Sequence, residues 1–174
     1  MSIILALPAQ KLVINAFTLF TGTTPSNAAF DSHVAFIGTN GEAAYISFLN
    51  TVAKDIPIAT LASNMLTNLG LTAVFTQEEA VGYLTARTSD LAGAMSTLAT
   101  ATLNYVSNPD FANDAQMLLA KTAWNNTATN ALAYSSATTS TSPGSLTATA
   151  AGTTFTLTTG IDSFIGGATD EVFQ

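Results

Sequence analysis

Apolar residues recur every three or four positions from residue 8 to residue 134, which is the spacing of one face of an α-helix. Pro, Gly and Asn interrupt this spacing and divide the chain into seven amphipathic segments. We predict helices at residues 8–20, 25–37, 41–56, 57–69, 77–87, 90–108 and 109–134. The pattern indicates a compact body of helices around one core.

Local signals predict several helix ends. Thr76 and Glu79 have the spacing of a capping box, in which each side chain accepts a hydrogen bond from the other residue's backbone amide. Glu78 and Glu79 are therefore interpreted as carboxylates of a helix start rather than as paired catalytic acids. Other ends are predicted from single residues: Thr24, Asn40 and either Ser89 or Asp90 as N-caps, and Gly38 and Gly70 as stops.

The third and seventh helices show which faces we expect to be buried. In the third, the apolar stripe consists of Tyr45, Phe48, Leu49 and Val52. In the seventh, it consists of Phe111, Ala115, Leu118, Leu119 and the methyl group of Thr122. Trp124 then falls on a neighbouring face, off the main apolar stripe.

The composition changes after residue 134. Residues 135–152 are almost entirely Ser, Thr, Ala, Gly and Pro, too polar and too small to bury a face, so we interpret them as a linker or an extended wrap. Phe155 and Leu157 then alternate with threonines, the period of a half-buried strand. The predicted fold class is mainly α, with a helical domain at 1–134, a Ser/Thr-rich bridge at 135–152 and a short β segment at 153–174.

Size and charge limit the classes of function. With 174 residues, 48% of them hydrophobic, the chain can form one ordinary domain. Charged residues make up 9%, against about 25% in typical domains, so solubility rests on Thr, Ser and Asn, as suits the outside of a cell. Eleven acidic and four basic residues give a net charge of −7, which repels nucleic acid.

The start of the chain and the cysteine count bear on export. The first ten residues lack the basic stretch of a secretion signal, and their apolar run is too short for such a signal or for a membrane span. The absence of cysteine excludes disulfides and thiolate metal sites. We expect no transmembrane segment and no cleaved N-terminal signal.

Catalytic chemistry finds little support in the sequence. His33 is the only histidine, and a lone imidazole is a poor metal site. Asp31 and Ser32 precede it so closely that helix geometry points the three side chains apart, so they do not form a catalytic triad. We expect a protein that is not an enzyme, in which His33 has a structural or surface role.

Sugar binding has better candidates. Trp124 lies beside Asn125 and Asn126, and an aromatic face with neighbouring amides suits the C–H side and the hydroxyls of a pyranose. The cations that would meet an anionic glycan are Lys54, Arg87 and Lys121, together with Lys11. The alternatives are that the aromatic residues belong to the core and that the cations are scattered solubilising charges.

Two strings near the C-terminus carry a resemblance to a known family. They are Leu157-Thr158-Thr159-Gly160-Ile161-Asp162 and Gly166-Gly167-Ala168-Thr169-Asp170-Glu171-Val172-Phe173. They resemble the start of the repeat region in RTX-type, type I secreted proteins, above all Gram-negative S-layer proteins, with Glu171 where the family usually has Asp. Residues 17–30, with a Phe-Thr-Gly-x-x-Pro-Ser turn, resemble the N-terminal helical domain of the same S-layer proteins.

This resemblance implies a fold and a function. Repeats of this kind form a parallel β-roll that holds Ca²⁺ between coils, which makes Asp162, Asp170 and Glu171 candidate ligands. One repeat cannot complete such a site, so either a longer parent protein or a decayed repeat is expected. The helical domain would be a non-catalytic anchor that binds lipopolysaccharide O-antigen glycan and self-assembles in a surface lattice.

A second hypothesis stays open from the sequence. The chain would be a subunit of an extracellular filament, tube or biofilm matrix, whose C-terminal β segment pairs with a neighbouring copy.

Overall fold

The computed structural model describes residues 8–146, and this range contains seven α-helices. They are α1 (Pro8–Thr21), α2 (Asn27–Asn40), α3 (Glu42–Ala53), α4 (Ile58–Leu69), α5 (Gln77–Thr85), α6 (Leu91–Leu103) and α7 (Asp114–Ser136). Strands β1 (Thr23–Thr24) and β2 (Gly144–Ser145) pair antiparallel, with Thr23 opposite Ser145. The mainly helical fold class is confirmed. The β segment predicted at 153–174 and residues 147–152 of the bridge lie outside the described residues.

Helix α1 is the centre of the body. It packs against α2, α3, α4, α6 and α7, so nearly every face of its second half is covered. Val13 and Leu19 are almost completely buried, and burying one such side chain stabilises the fold by about 1.5–3 kcal/mol. The same helix also carries two buried polar residues, Asn15 and Thr18.

Three predicted helix ends are confirmed. The Glu79 N–H donates to Thr76 Oγ1 at 3.2 Å and the Thr76 N–H donates to Glu79 Oε2 at 2.8 Å, which completes the capping box of α5. Asp90 caps α6 by accepting the Gly93 N–H at 3.1 Å. Gly70 ends α4 with a φ of +70°, a conformation that favours glycine.

The two ends of α2 differ from the prediction. Its N-cap is Ser26, because Thr24 belongs to β1. The helix continues through Gly38 to Asn40, because Gly41, with a φ of +85°, makes the turn into α3 instead.

The buried face of α7 also differs from the predicted one. Its buried residues are Met117, Ala120, Trp124, Ala131 and Ser135. Leu119, which was expected in the core, is 71% exposed, whereas the Trp124 side chain is fully buried. Burying an indole removes more apolar surface from water than burying a leucine, so the rotation that covers Trp124 is favoured.

Helix α3 shows a smaller difference of the same kind. Tyr45 and Leu49 are buried as predicted, but Phe48 is 46% exposed and Val52 is 42% exposed. The predicted stripe was therefore wider than the face that the neighbouring helices cover.

Residues 137–146 fold back over the start of α2. The Asn27 N–H donates to the carbonyl oxygen of Ser140 at 2.9 Å, and Asn27 Nδ2 donates to the carbonyl oxygen of Ser135 at 2.9 Å. Ser135 Oγ donates to the carbonyl oxygen of Pro25 at 2.9 Å. Residues 135 and 136, which were predicted to begin the Ser/Thr-rich bridge, belong to α7.

Candidate functional site

A groove of about 390 Å³ runs between α1, α6 and α7. Each helix contributes residues spaced three and four apart, so each presents a single face to the groove. The lining residues are Lys11, Ile14 and Asn15 of α1, Thr100, Leu103 and Asn104 of α6, and Asn125, Ala128, Thr129 and Leu132 of α7. Apolar side chains alternate with amides and hydroxyls, and Lys11 is the single charged residue of the lining.

Asn15 is the most unusual residue of this groove. It is 8% exposed, and within residues 8–146 no group is hydrogen-bonded to its side-chain amide. Among the described residues, the buried side-chain polar atoms without a partner are Thr18 Oγ1 and Trp124 Nε1, so the amide atoms of Asn15 are open to the groove. The amide offers two donors and one acceptor oxygen that a ligand in the groove can use.

The other polar residues at the groove surround an apolar strip. The Thr100 hydroxyl donates to the carbonyl oxygen of Ser96 at 3.0 Å, which leaves its oxygen able to accept a further hydrogen bond. Asn104 and Asn125 are exposed, so their amides can turn towards a ligand. Apolar contact combined with amide and hydroxyl groups matches a sugar ring, which has C–H faces and a hydroxyl edge.

The groove continues into a shallower depression of about 510 Å³. The two share Thr100 and Asn104, and the depression extends to Glu42 and Ile46 of α3. A ligand longer than one sugar ring therefore has a continuous surface to follow.

Lys121 lies close to one end of the groove. It stands one turn before Asn125 on α7, and its Nζ donates to the carbonyl oxygen of Tyr105 at 2.7 Å. The Tyr105 hydroxyl in turn donates to Asp114 Oδ1 at 2.7 Å. This chain of contacts ties α7 to the segment that follows α6.

Asp114 fixes the loop between α6 and α7, and its environment gives a pH prediction. Its carboxylate accepts hydrogen bonds from the Asn108 N–H at 2.7 Å, the Tyr105 hydroxyl and the Ser107 hydroxyl at 3.1 Å. The Asn108 bond first, and then the Tyr105 bond, lower the pKa of Asp114. Because the folded-state pKa is lowered, Asp114 stabilises the fold above its ordinary pKa of about 3.9, and this contribution is lost as the pH falls through the folded-state pKa.

We therefore expect Asp114→Asn to weaken the acid dependence of the free energy of unfolding, measured by urea denaturation between about pH 2 and pH 7. Asp110→Asn is the matched control, because Asp110 lies in the same loop and its carboxylate accepts no hydrogen bond within the described residues. An acid dependence that is equally steep in Asp114→Asn and in the unmodified protein would contradict this prediction.

The sugar-binding residues predicted on α7 lie in different environments. Asn125 lines the groove, but Asn126, the next residue, is exposed and lies outside its lining. Trp124 is 0% exposed, so its ring cannot stack on a sugar in this structure. The physical reason is the rotation of α7, which turns the indole into the core.

Of the three predicted cations outside α7, Lys11 lines the groove, whereas Lys54 and Arg87 lie outside its lining. Lys54 is exposed at the C-terminal cap of α3. The Arg87 guanidinium lies 4.0 Å from the centre of the Tyr83 ring, and its Nη1 donates to the carbonyl oxygen of Tyr83 at 3.0 Å. The predicted glycan-binding residues therefore do not form one site.

Sequence reasoning named Lys11 as a candidate cation but missed the contribution of Asn15 and Asn104 to the groove. A signal was present, because each of the three helices has a polar residue, an apolar residue three positions later and a polar residue four positions later. The sets are Lys11-Ile14-Asn15, Thr100-Leu103-Asn104 and Asn125-Ala128-Thr129. Such a set predicts the edge of the buried face of one helix, but it does not predict that the edges of α1, α6 and α7 meet.

His33 lies in a cluster of aromatic side chains. Its Nδ1 is 2.9 Å from the Tyr45 hydroxyl oxygen, and its ring packs edge-on against Phe17 and Phe48. Burial lowers the pKa of His33 and raises the pKa of Tyr45. Phe36 and Phe48 form the exposed side of this cluster.

The calcium candidates Asp162, Asp170 and Glu171 lie outside the described residues. Within residues 8–146 there is no group of three or more His, Cys, Asp or Glu side chains that could hold a metal ion. Among the helices that the structure describes, none has the length and apolar character needed to cross a membrane.

Comparison with known proteins finds no match, whether to a protein-family model, to a curated protein or to a solved structure.

Proposed function

We propose that this protein is a non-catalytic cell-surface structural module that binds a surface glycan in the groove between α1, α6 and α7. The observation that carries this proposal is Asn15, a residue that is 8% exposed, lines the groove and has a side-chain amide with no hydrogen-bond partner within the described residues. Its amide atoms are open to the groove, so a glycan hydroxyl would bond to them directly in place of water.

The charge of the groove narrows the class of glycan. Lys11 is the single charged residue in the lining, so neutral hydroxyls and at most one acidic group per repeat unit suit it. A phosphate-rich ligand would need several cations at one place, and Lys54 and Arg87 lie outside the lining. The O-antigen chain of lipopolysaccharide is a ligand of the favoured kind.

The wider biological setting is part of the same proposal. An S-layer anchoring domain exported by type I machinery, with Ca²⁺ bound at and beyond Asp162, Asp170 and Glu171, follows from the resemblance of the C-terminal strings. Assembly into a lattice would need contact surfaces, and the half-exposed Phe36 and Phe48 provide one that is rich in aromatic side chains.

Binding to smooth lipopolysaccharide and to lipopolysaccharide without O-antigen, measured by biolayer interferometry, tests the proposal. We expect Asn15→Leu to weaken binding to the smooth form by about five- to thirtyfold, since one or two hydrogen bonds of about 1 kcal/mol each are lost. Asn125→Ala should weaken it by a smaller factor. Asn126→Ala is the matched control, with the same change one residue away and outside the groove, and it should bind normally.

Asn15→Leu has a further use in this test. The substitution keeps a similar volume and removes no hydrogen bond within the described residues, so we expect the free energy of unfolding to change little. A loss of binding in a variant of similar stability cannot be explained by unfolding. Equal retention on both lipopolysaccharides would contradict glycan anchoring and favour the filament or matrix subunit instead.

A further inference from the structure

A second cavity, separate from the groove, lies between α4, α5 and α6. Its volume is about 230 Å³, and it shares no lining residue with the groove. The lining is almost entirely apolar and includes Met65, Phe75, Ala80, Tyr83 and Leu98. Glu79 is the single charged residue that lines it.

The volume and lining suit a small organic molecule. An engineered apolar cavity of about 150 Å³ stays dry and binds benzene, and this one, at about 230 Å³, is larger. A substituted aromatic ring or a short alkyl chain would fill it. Because the cavity opens to solvent beside the exposed Glu79, the gain comes from apolar surface of the ligand and of the lining that is removed from water.

The polar groups at the cavity favour a ligand that carries a positive charge. Glu79 Oε2 accepts hydrogen bonds from the Thr76 N–H at 2.8 Å and from Thr76 Oγ1 at 2.9 Å, which hold the carboxylate in place and lower the pKa of Glu79. Its second oxygen accepts no hydrogen bond within the described residues. The Tyr83 hydroxyl already donates to the carbonyl oxygen of Ala94 at 3.0 Å, so its proton is not available to a ligand anion.

Arg87 lies beside the cavity but contributes no charge to its lining. Its guanidinium stacks on the Tyr83 ring and donates to the carbonyl oxygen of Tyr83, and Arg87 is not part of the cavity lining.

We propose that this cavity binds a small apolar amine, with the ring or alkyl chain among Met65, Phe75 and Leu98 and the protonated amine on the carboxylate of Glu79. This site is independent of the glycan groove, so either proposal can fail without the other.

Titration of the full chain with benzylamine and with toluene, followed by amide chemical shifts, tests this site. We expect both probes to shift the residues that line the cavity, and benzylamine to bind at least several-fold more tightly than toluene. Glu79→Gln should reduce benzylamine affinity to that of toluene, because it removes the carboxylate charge. Glutamine also completes a capping box, so the start of α5 is kept. Glu78→Gln, one residue away and outside the lining, is the charge-matched control and should leave both affinities unchanged.

Variants that fill the cavity distinguish binding at this site from binding elsewhere on the protein. Ala80→Leu should abolish binding of both probes, and Leu98→Phe serves the same purpose if the first variant does not fold. Three results would overturn the proposal. The first is no chemical-shift change at the lining residues, and the second is benzylamine binding that persists when the cavity is filled. The third is equal affinity for toluene and benzylamine, with neither affinity changed by Glu79→Gln.

Discussion

Trp124→Ala is expected to lower the free energy of unfolding by about 3–5 kcal/mol, the largest effect of any single substitution discussed for this chain. The indole is fully buried, and its removal leaves a cavity between α7 and the rest of the core. Urea denaturation measures the loss directly. Trp124→Phe should cost less, because it keeps an aromatic ring and removes an indole N–H that has no partner within the described residues.

Leu119→Ala is the matched control for α7. Leu119 is 71% exposed, so its truncation should change the free energy of unfolding by no more than about 0.5 kcal/mol. The opposite order, with Leu119→Ala more costly than Trp124→Ala, would mean that α7 buries the leucine face and that the rotation described here is wrong.

The second large effect concerns the segment that folds back over α2. We expect a chain that ends at residue 136 to be less stable than one that ends at residue 146 by about 2–3 kcal/mol, at about 1 kcal/mol for each lost hydrogen bond. The missing acceptors are the carbonyl oxygens of Ser140 and Ser145, which receive the Asn27 N–H and the Thr24 hydroxyl, and that of Ser142, which receives the Tyr134 hydroxyl.

Thermal and urea denaturation of the two truncated chains measure this difference. A single substitution gives an independent check: Tyr134→Phe removes the hydroxyl that donates to the carbonyl oxygen of Ser142 in the segment and should cost about 1 kcal/mol in the chain that ends at residue 146 but little in the chain that ends at residue 136. If both truncated chains unfold at the same urea concentration, residues 137–146 add nothing to the domain and its boundary lies at residue 136.

The sequence predicted what depends on neighbouring residues in the chain. Thr76 and Glu79 satisfy each other within one helical turn, so their spacing alone determines the cap. Gly70 is similar, since the left-handed turn after α4 depends on its own backbone. Seven helices were predicted and seven are described within residues 8–146, because apolar spacing is a property of each segment.

What the sequence did not predict depends on tertiary packing. In α7, leucines at 118 and 119 and the tryptophan at 124 define competing faces, and only contact with the neighbouring helices selects the second. Thr24 was predicted as an N-cap, but it belongs to β1 and pairs with Gly144 of β2, 120 residues later in the chain. The groove likewise exists only because the polar edges of three helices meet, so of the residues predicted to contact a glycan only Lys11 and Asn125 line it, with Lys121 one turn away.

The pairing of β1 with β2 determines where the rest of the chain departs. β1 follows the C-terminal end of α1, whereas Lys11 lies in its first turn and Asn15 near its middle. At about 1.5 Å per residue, the ten steps from Lys11 to Thr21 correspond to about 15 Å along the helix axis. If the groove holds a glycan as proposed, a load applied at Leu146 would act lengthwise along α1, which five other helices cover.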